Sequence, residues 1–151
     1  MRNESEACTI IKNSFIHYGG ECYKIPDPSS TFNKTIQRPF DLIGVYKGRP
    51  LYAEVKHMNK LAVFDLGRIE DHQIDFLTRF KKIKYSICLV LLTINVSRTD
   101  KRLYIFDDLT VLTERKSNKS NIKKKELESL IWFPIKKGIA DLTNLEGSLT
   151  C

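Results

Sequence analysis

Hydrophobic positions in the first stretch recur every three or four residues. Ala7, Ile10, Ile11, Ser14, Phe15 and Tyr18 follow the spacing of one helix face, so a helix is expected over Glu4–Tyr18, ended by Gly19-Gly20. Cys22–Ile25 suits a short strand, and Pro26, Pro28, Ser29, Ser30 and Asn33 place a loop over 26–38. Asp41–Tyr46 (DLIGVY) and Leu51–Val55 (LYAEV) are β-type segments joined by Lys47-Gly48-Arg49-Pro50, the pattern of a hairpin. Helical spacing returns over Arg68–Lys84 through Ile69, Phe76, Leu77, Phe80 and Ile83. Ser86–Asn95 is apolar at consecutive positions, as in a strand buried on both faces, and Arg102–Phe106 (RLYIF) is its expected neighbour. Residues 114–125 (ERKSNKSNIKKK) predict a basic loop that leads into a short helix ending near Leu130. Helical and extended segments thus alternate within one α/β domain spanning 1–151, with no internal repeat.

Composition narrows the partners. Among 151 residues, 42% are hydrophobic and 28% charged, enough apolar material for a core and too much for a disordered chain. The longest apolar run, Ile87–Val96, is broken by Thr93 and Asn95 and is about half of the ~20 residues needed to span a bilayer. Glu4 and Glu6 occupy the region where a secretory signal needs a basic start and an apolar stretch, so a cytoplasmic protein is expected. Cys8, Cys22, Cys88 and Cys151 are scattered, without zinc spacing or a disulfide framework, and are expected as reduced thiols. Lys and Arg number 25 against 18 Asp and Glu, a net charge of +7 that suits a polyanion such as nucleic acid. The cations concentrate at Arg79, Lys81, Lys82 and Lys84 and again at Arg115, Lys116, Lys119, Lys123 and Lys124; each group is either a set of phosphate contacts or a solvated face.

One constellation carries chemistry. In Glu54-Val55-Lys56 the period of two in a strand turns the acid and the amine to one face. Asp41 joins that face across the hairpin: a two-residue reversal at Lys47-Gly48 sets it opposite Glu54, a four-residue loop opposite Lys56. Two carboxylates so placed repel unless a divalent cation neutralises them, and hard oxygen donors suit Mg²⁺, with Mn²⁺ as substitute. Lys56 would then orient or help deprotonate the attacking water. The competing reading is a ladder of opposite charges on an exposed sheet face. A second E-x-K copy at Glu114-Arg115-Lys116 has no hairpin to fold an acid back onto it and serves as a control. Gln73 lies on the packing face of the second helix with Ile69, Phe76, Leu77 and Phe80, so its amide either satisfies backbone groups in the core or holds something at the edge of the site. Glu6 either reaches the same ion from the first helix or favours that helix's amino end. His17, His57 and His72 are expected in solvated or structural roles, Trp132 and Phe133 in packing.

The run R-P-F-D-L-I-G-V-Y-K-G-R-P-L-Y-A-E-V-K (38–56), then Phe64, E-D-H-Q-I-D-F-L (70–77) and ICLVLL, resembles the RecU-type Holliday-junction resolvases of the PD-(D/E)xK nuclease superfamily. The similarity covers about 39–95 and extends more weakly to R-K-S at 115–117 and to Glu6. The resemblance implies a restriction-endonuclease-like α/β (α+β) core, a central mixed sheet flanked by helices. It also implies a homodimer with two active sites and Mg²⁺-dependent paired nicking of four-way DNA junctions, with 5′-phosphate products. Carried over by position, the catalytic set is Asp41, Glu54, Lys56, Gln73 as a supporting residue and Glu6 as an auxiliary acid; the expected metal set is Asp41, Glu54 and Val55. Cellular RecU proteins insert a long stalk before the catalytic hairpin, and IPDPSSTFNKTIQ is too short for one, as would suit a compact phage-encoded resolvase. Another PD-(D/E)xK endonuclease acting on duplex DNA, and a non-catalytic DNA-binding module, are the competing functions. No membrane partner and no small-molecule cofactor are expected.

Overall fold

The computed structural model describes residues 1–27 and 37–149. Most of the expected 26–38 loop, and Cys151, lie outside the described residues. The first helix, α1 (Glu4–His17), starts where Asn3 accepts the Glu6 amide on its side chain, and it buries Ala7, Cys8, Ile11, Ser14 and Phe15. Seven strands follow: β1 (Glu21–Lys24), β2 (Leu42–Tyr46), β3 (Arg49–Met58), β4 (Ile87–Asn95), β5 (Lys101–Phe106), β6 (Trp132–Lys136) and β7 (Ile139–Ala140). They pair in chain order, antiparallel everywhere except β3 with β4, which run parallel. The parallel step needs a crossover, supplied by a 3₁₀ turn at Leu66–Arg68 and the helix α2 (Asp71–Phe80). The expected mixed central sheet flanked by helices is present.

The sheet separates two apolar layers. On one side Leu42, Leu51, Ala53, Val55, Leu89 and Leu91 pack with α1; on the other Val90, Leu92 and Tyr104 pack with Ile74, Leu77, Phe64 and Ile122. The first side is concave, because α1 packs against β1 and also against β7 at the far end of the strand order. The amide of Ala140 donates to Ser14 Oγ at 2.8 Å, and that hydroxyl donates to the Ile10 carbonyl, so a helical serine satisfies the outer edge of β7. At the other end Gly44 lets β1 cross closely: a Cβ there would stand 2.0 Å from the Glu21 carbonyl oxygen.

Two expectations are corrected. The helix predicted to Lys84 stops at Phe80; residues 81–85 continue in tight turns and finish with Tyr85 at φ 64°, so Lys81, Lys82 and Lys84 lie beyond the helix. The stretch predicted as a basic loop over 114–125 is helical at both ends. Glu114–Ser117 belongs to α3 (Leu109–Ser117), which starts at Asp108 accepting the Val111 amide and buries Leu109 and Leu112, while α4 (Lys124–Ser129) takes the last residues. Trp132 and Phe133 do pack, within the unforeseen strand β6; the β6–β7 hairpin and the short α5 (Leu145–Ser148) complete the described chain. No described helix is long and apolar enough to cross a membrane.

Candidate functional site

The geometry of the site begins with the hairpin. Lys47 and Gly48 both take positive φ, 48° and 74°, the two-residue turn whose twist matches the flanking strands. Tyr46 then pairs with Arg49 and Leu42 with Ala53, and the Asp41 amide donates to the Ala53 carbonyl, which sets Asp41 opposite Glu54. The two-residue alternative is the one realised. β4 covers the other edge of β3, pairing Glu54 with Val90 and Lys56 with Leu92, so Glu54 and Lys56 share the α2 side while Val55 faces α1. An exposed charge ladder is excluded by burial: Asp41 is 4% exposed, Glu54 0% and Lys56 7%.

Every partner of these groups is defined. Asp41 accepts the Val55 amide on Oδ2 at 2.8 Å, and its Oδ1 meets the Arg38 guanidinium at 2.5 Å. Glu54 Oε1 receives both Lys56 Nζ and Gln73 Nε2 at 2.7 Å. Glu54 Oε2 is buried and has no hydrogen-bond partner among the described residues. Gln73 does both things that the sequence left open: its Oε1 caps α2 by accepting the Glu70 amide at 2.9 Å, while its amide nitrogen positions Glu54. Burial first, and then the negative charge of Asp41, push the Glu54 carboxyl up to about 7; the Lys56 ammonium acts in the opposite direction.

These residues fit a hard divalent cation. An orphaned carboxylate oxygen in a buried site leaves lone pairs to be satisfied, and the negative charge of the second carboxylate adds to the cost of ionising Glu54 there. Among the described residues no group of three or more His, Cys, Asp or Glu side chains is placed to share an ion. The two acids would therefore need main-chain oxygen or water to complete a shell. Val55 gives its amide to Asp41, and its side chain belongs to the α1 core, so any part it takes as a ligand falls to its main chain.

The remaining predicted residues divide. Glu6 is nearly half exposed and held at the start of the chain, accepting the Arg2 amide at 2.7 Å and lying 3.6 Å from the Met1 ammonium; the Arg2 amide, above all, lowers its carboxyl pKa. It is not brought to the Asp41/Glu54 pair, and the helix-end reading is the one found. Arg115 and Lys116 already have protein partners. Arg115 makes two bonds to Glu126, at 2.8 and 3.1 Å, and reaches the Asn121 carbonyl, while Lys116 binds Asp71 and the Ile69 carbonyl, so both tie α3 to its neighbours. Lys119, Lys123 and Lys124 are exposed, with Lys124 3.8 Å from Glu128. Arg79 stacks over Phe76 at 4.3 Å; Lys81, Lys82 and Lys84 surround a surface cleft with Arg49, whose Nε donates to the Tyr85 carbonyl at 2.9 Å. That cleft adjoins the start of β4, where Ile87 pairs with Leu51, three strand residues and roughly 10 Å from Glu54. His57 is structural, bonded to Thr93 and Asn59, and His72 Nε2 donates to the Arg38 carbonyl at 3.0 Å. Arg38 is the residue that sequence reasoning missed, although it opens the R-P-F-D run; it lies three residues before Asp41, a helical spacing, in a segment that is not helical.

Comparison with known proteins places this arrangement. The family model described as Recombination protein U (RecU) matches residues 28–140. The Holliday junction resolvase RecU of Bacillus subtilis (strain 168) is 31% identical over 104 residues, a match that covers 66% of this chain and 47% of that protein, so the chain spans about half the length of this relative. Among solved structures, Hjc, a Holliday junction resolvase from the archaeal hyperthermophile Archaeoglobus fulgidus, is similar over 75% of this chain and 89% of its own, at 12% identity and a TM-score of 0.38.

Proposed function

We propose, because the chain belongs to the recombination protein U (RecU) family, that Asp41, Glu54 and Lys56 form the catalytic centre of a structure-selective endonuclease acting on four-way DNA junctions. The observation that carries the proposal is Glu54 Oε2, a buried carboxylate oxygen without a hydrogen-bond partner among the described residues, on the strand opposite the buried Asp41. A divalent cation, Mg²⁺ or Mn²⁺, held by Asp41 and Glu54 would supply charge neutralisation for the phosphate and for the leaving oxygen. The protein's own part is positional. Gln73 and Lys56 fix Glu54 through Oε1, so Oε2 would be the oxygen left to hold the cation. Lys56 keeps further N–H donors for the attacking water and a phosphate oxygen, so it aligns the two for in-line displacement. Cleavage of the bond to the 3′ oxygen leaves a 5′-phosphate and a 3′-hydroxyl.

A homodimer carrying two such centres would read the junction by geometry rather than by base edges. Lys81, Lys82 and Lys84 are the exposed cations best grouped to hold a phosphate backbone, while Arg115 and Lys116 are committed to internal bonds. The test is cleavage of an end-labelled immobile four-way junction beside a linear duplex, in Mg²⁺ and in EDTA, by wild type and Lys56→Ala. Symmetric nicks on opposing junction strands, present only with wild type and Mg²⁺, are the expected result. Equal cleavage by Lys56→Ala removes that residue from the mechanism, and cleavage of both substrates alike replaces junction selectivity with general nuclease activity.

A further inference from the structure

Among the described residues, Arg38 is the cation that touches a proposed metal ligand without belonging to the predicted centre. Its two terminal nitrogens grip different acids: one lies 2.5 Å from Asp41 Oδ1, the other 2.5 Å from Asp27 Oδ1. The two acids differ in exposure, with the Asp41 side chain 6% exposed and that of Asp27 78%. The Arg38 main chain is anchored separately, its carbonyl accepting His72 Nε2 from α2, so the guanidinium can change partners without the backbone leaving the site. Arginine stays charged under all ordinary conditions, so proton loss cannot remove its charge from Asp41; only movement can.

Resting on the cation reading of Asp41 and Glu54, we propose that Arg38 competes with the divalent cation for Asp41 Oδ1, and that cation binding requires the guanidinium to release Asp41 and rest on Asp27. A positive charge on one of two carboxylate ligands occupies an oxygen that a hard cation needs and repels the ion approaching the other. Asp27, solvated and already bonded, offers the guanidinium an alternative at little cost. Arg38 therefore sets the cation concentration at which the centre is loaded.

The test is calorimetric titration of DNA-free protein with Mn²⁺. In Arg38→Gln, Mn²⁺ should bind about tenfold more tightly, the order of one hydrogen bond between charged groups. Arg38→Lys, which keeps a positive charge, should stay within about threefold of wild type, so a gain from mere loosening of the loop is separated from a gain from lost charge. Asp27→Asn alters only an exposed side chain and needs no repacking; by removing the alternative partner it should weaken binding about threefold, within the range of an exposed ion pair. Weaker or unchanged binding in Arg38→Gln, with Asp27→Asn equal to wild type, overturns the competition while leaving the cation reading intact. Absence of Mn²⁺ binding in every protein overturns both.

Discussion

Replacing Glu54 by glutamine tests the electrostatics of the centre apart from catalysis. With its carboxyl at about 7 in the folded protein and near its ordinary 4.5 when unfolded, the native state binds the extra proton between those values. Stability conferred by the protonated form is full below pH 4.5 and is lost as pH rises through 7. A separation of about 2.5 units corresponds to about 3 kcal/mol at 1.36 kcal/mol per unit. Glutamine mimics the protonated acid and cannot lose the proton, while Lys56 and Asp41 remain in both proteins, so the difference between the two pH profiles isolates Glu54. Urea unfolding in EDTA at pH 5, 6, 7 and 8 should show wild type losing about 3 kcal/mol relative to Glu54→Gln across that range. Adding Mg²⁺ at pH 8 should restore wild type and leave the variant unchanged, because only the carboxylate can be neutralised by an ion. Parallel profiles in EDTA would refute the reasoning: the Glu54 carboxyl would then be compensated by Lys56 and Gln73 alone, with no charge left for a cation to balance.

Other consequences follow from placement. Glu114→Ala should leave junction cleavage within about twofold of wild type in the strand-nicking assay, because Glu114 and Lys116 lie on a helix and cannot share a face as Glu54 and Lys56 do. Arg115→Ala should lower the denaturant midpoint through the lost Glu126 pair and the freed Asn121 carbonyl, and should leave the salt slope of junction binding unchanged. Lys81→Ala with Lys82→Ala should leave stability near wild type and reduce that slope by about 2 in log–log titration. Gly44→Ala should cost on the order of 1–3 kcal/mol in the same unfolding assay, since its methyl group meets main chain of β1 rather than a side chain that can swing away.

The centre was largely legible from residue order because local rules fix it. A lysine-glycine turn sets the hairpin register, strand alternation sets the face of Glu54 and Lys56, and helical spacing puts Gln73 beside them. Where the reading failed, tertiary contacts overrode local composition. Residues 114–117 look like a loop until Asp108 caps α3 and Arg115 and Lys116 find acids from other segments. The stripe ending at Ile83 suggests a longer helix than α2, but Phe80 finishes it and its carbonyl accepts the Ser86 hydroxyl. The β6–β7 hairpin did carry a signal: Lys137-Gly138, with φ 51° and 75°, repeats the Lys47-Gly48 turn, although Pro134 in the preceding strand masks it. Arg38 had no such signal, since its bridge between Asp27 and Asp41 depends on how the chain returns to β2.

Curling of the sheet around α1 bears on the order in which the molecule can be made. The hydrogen bond from Ala140 to Ser14 joins residues 126 positions apart, whereas Arg38, Asp41, Glu54, Lys56 and Gln73 all lie in one short span of the chain. Loop-closure entropy sets these two events far apart. During synthesis the segment bearing the carboxylates leaves the ribosome complete while β6 and β7 are still untranslated, with the far end of α1 uncovered. The last hairpin then shuts the apolar trough, so substitutions at Ser14 or Ala140 act on that closing contact and not on the span that bears the carboxylates.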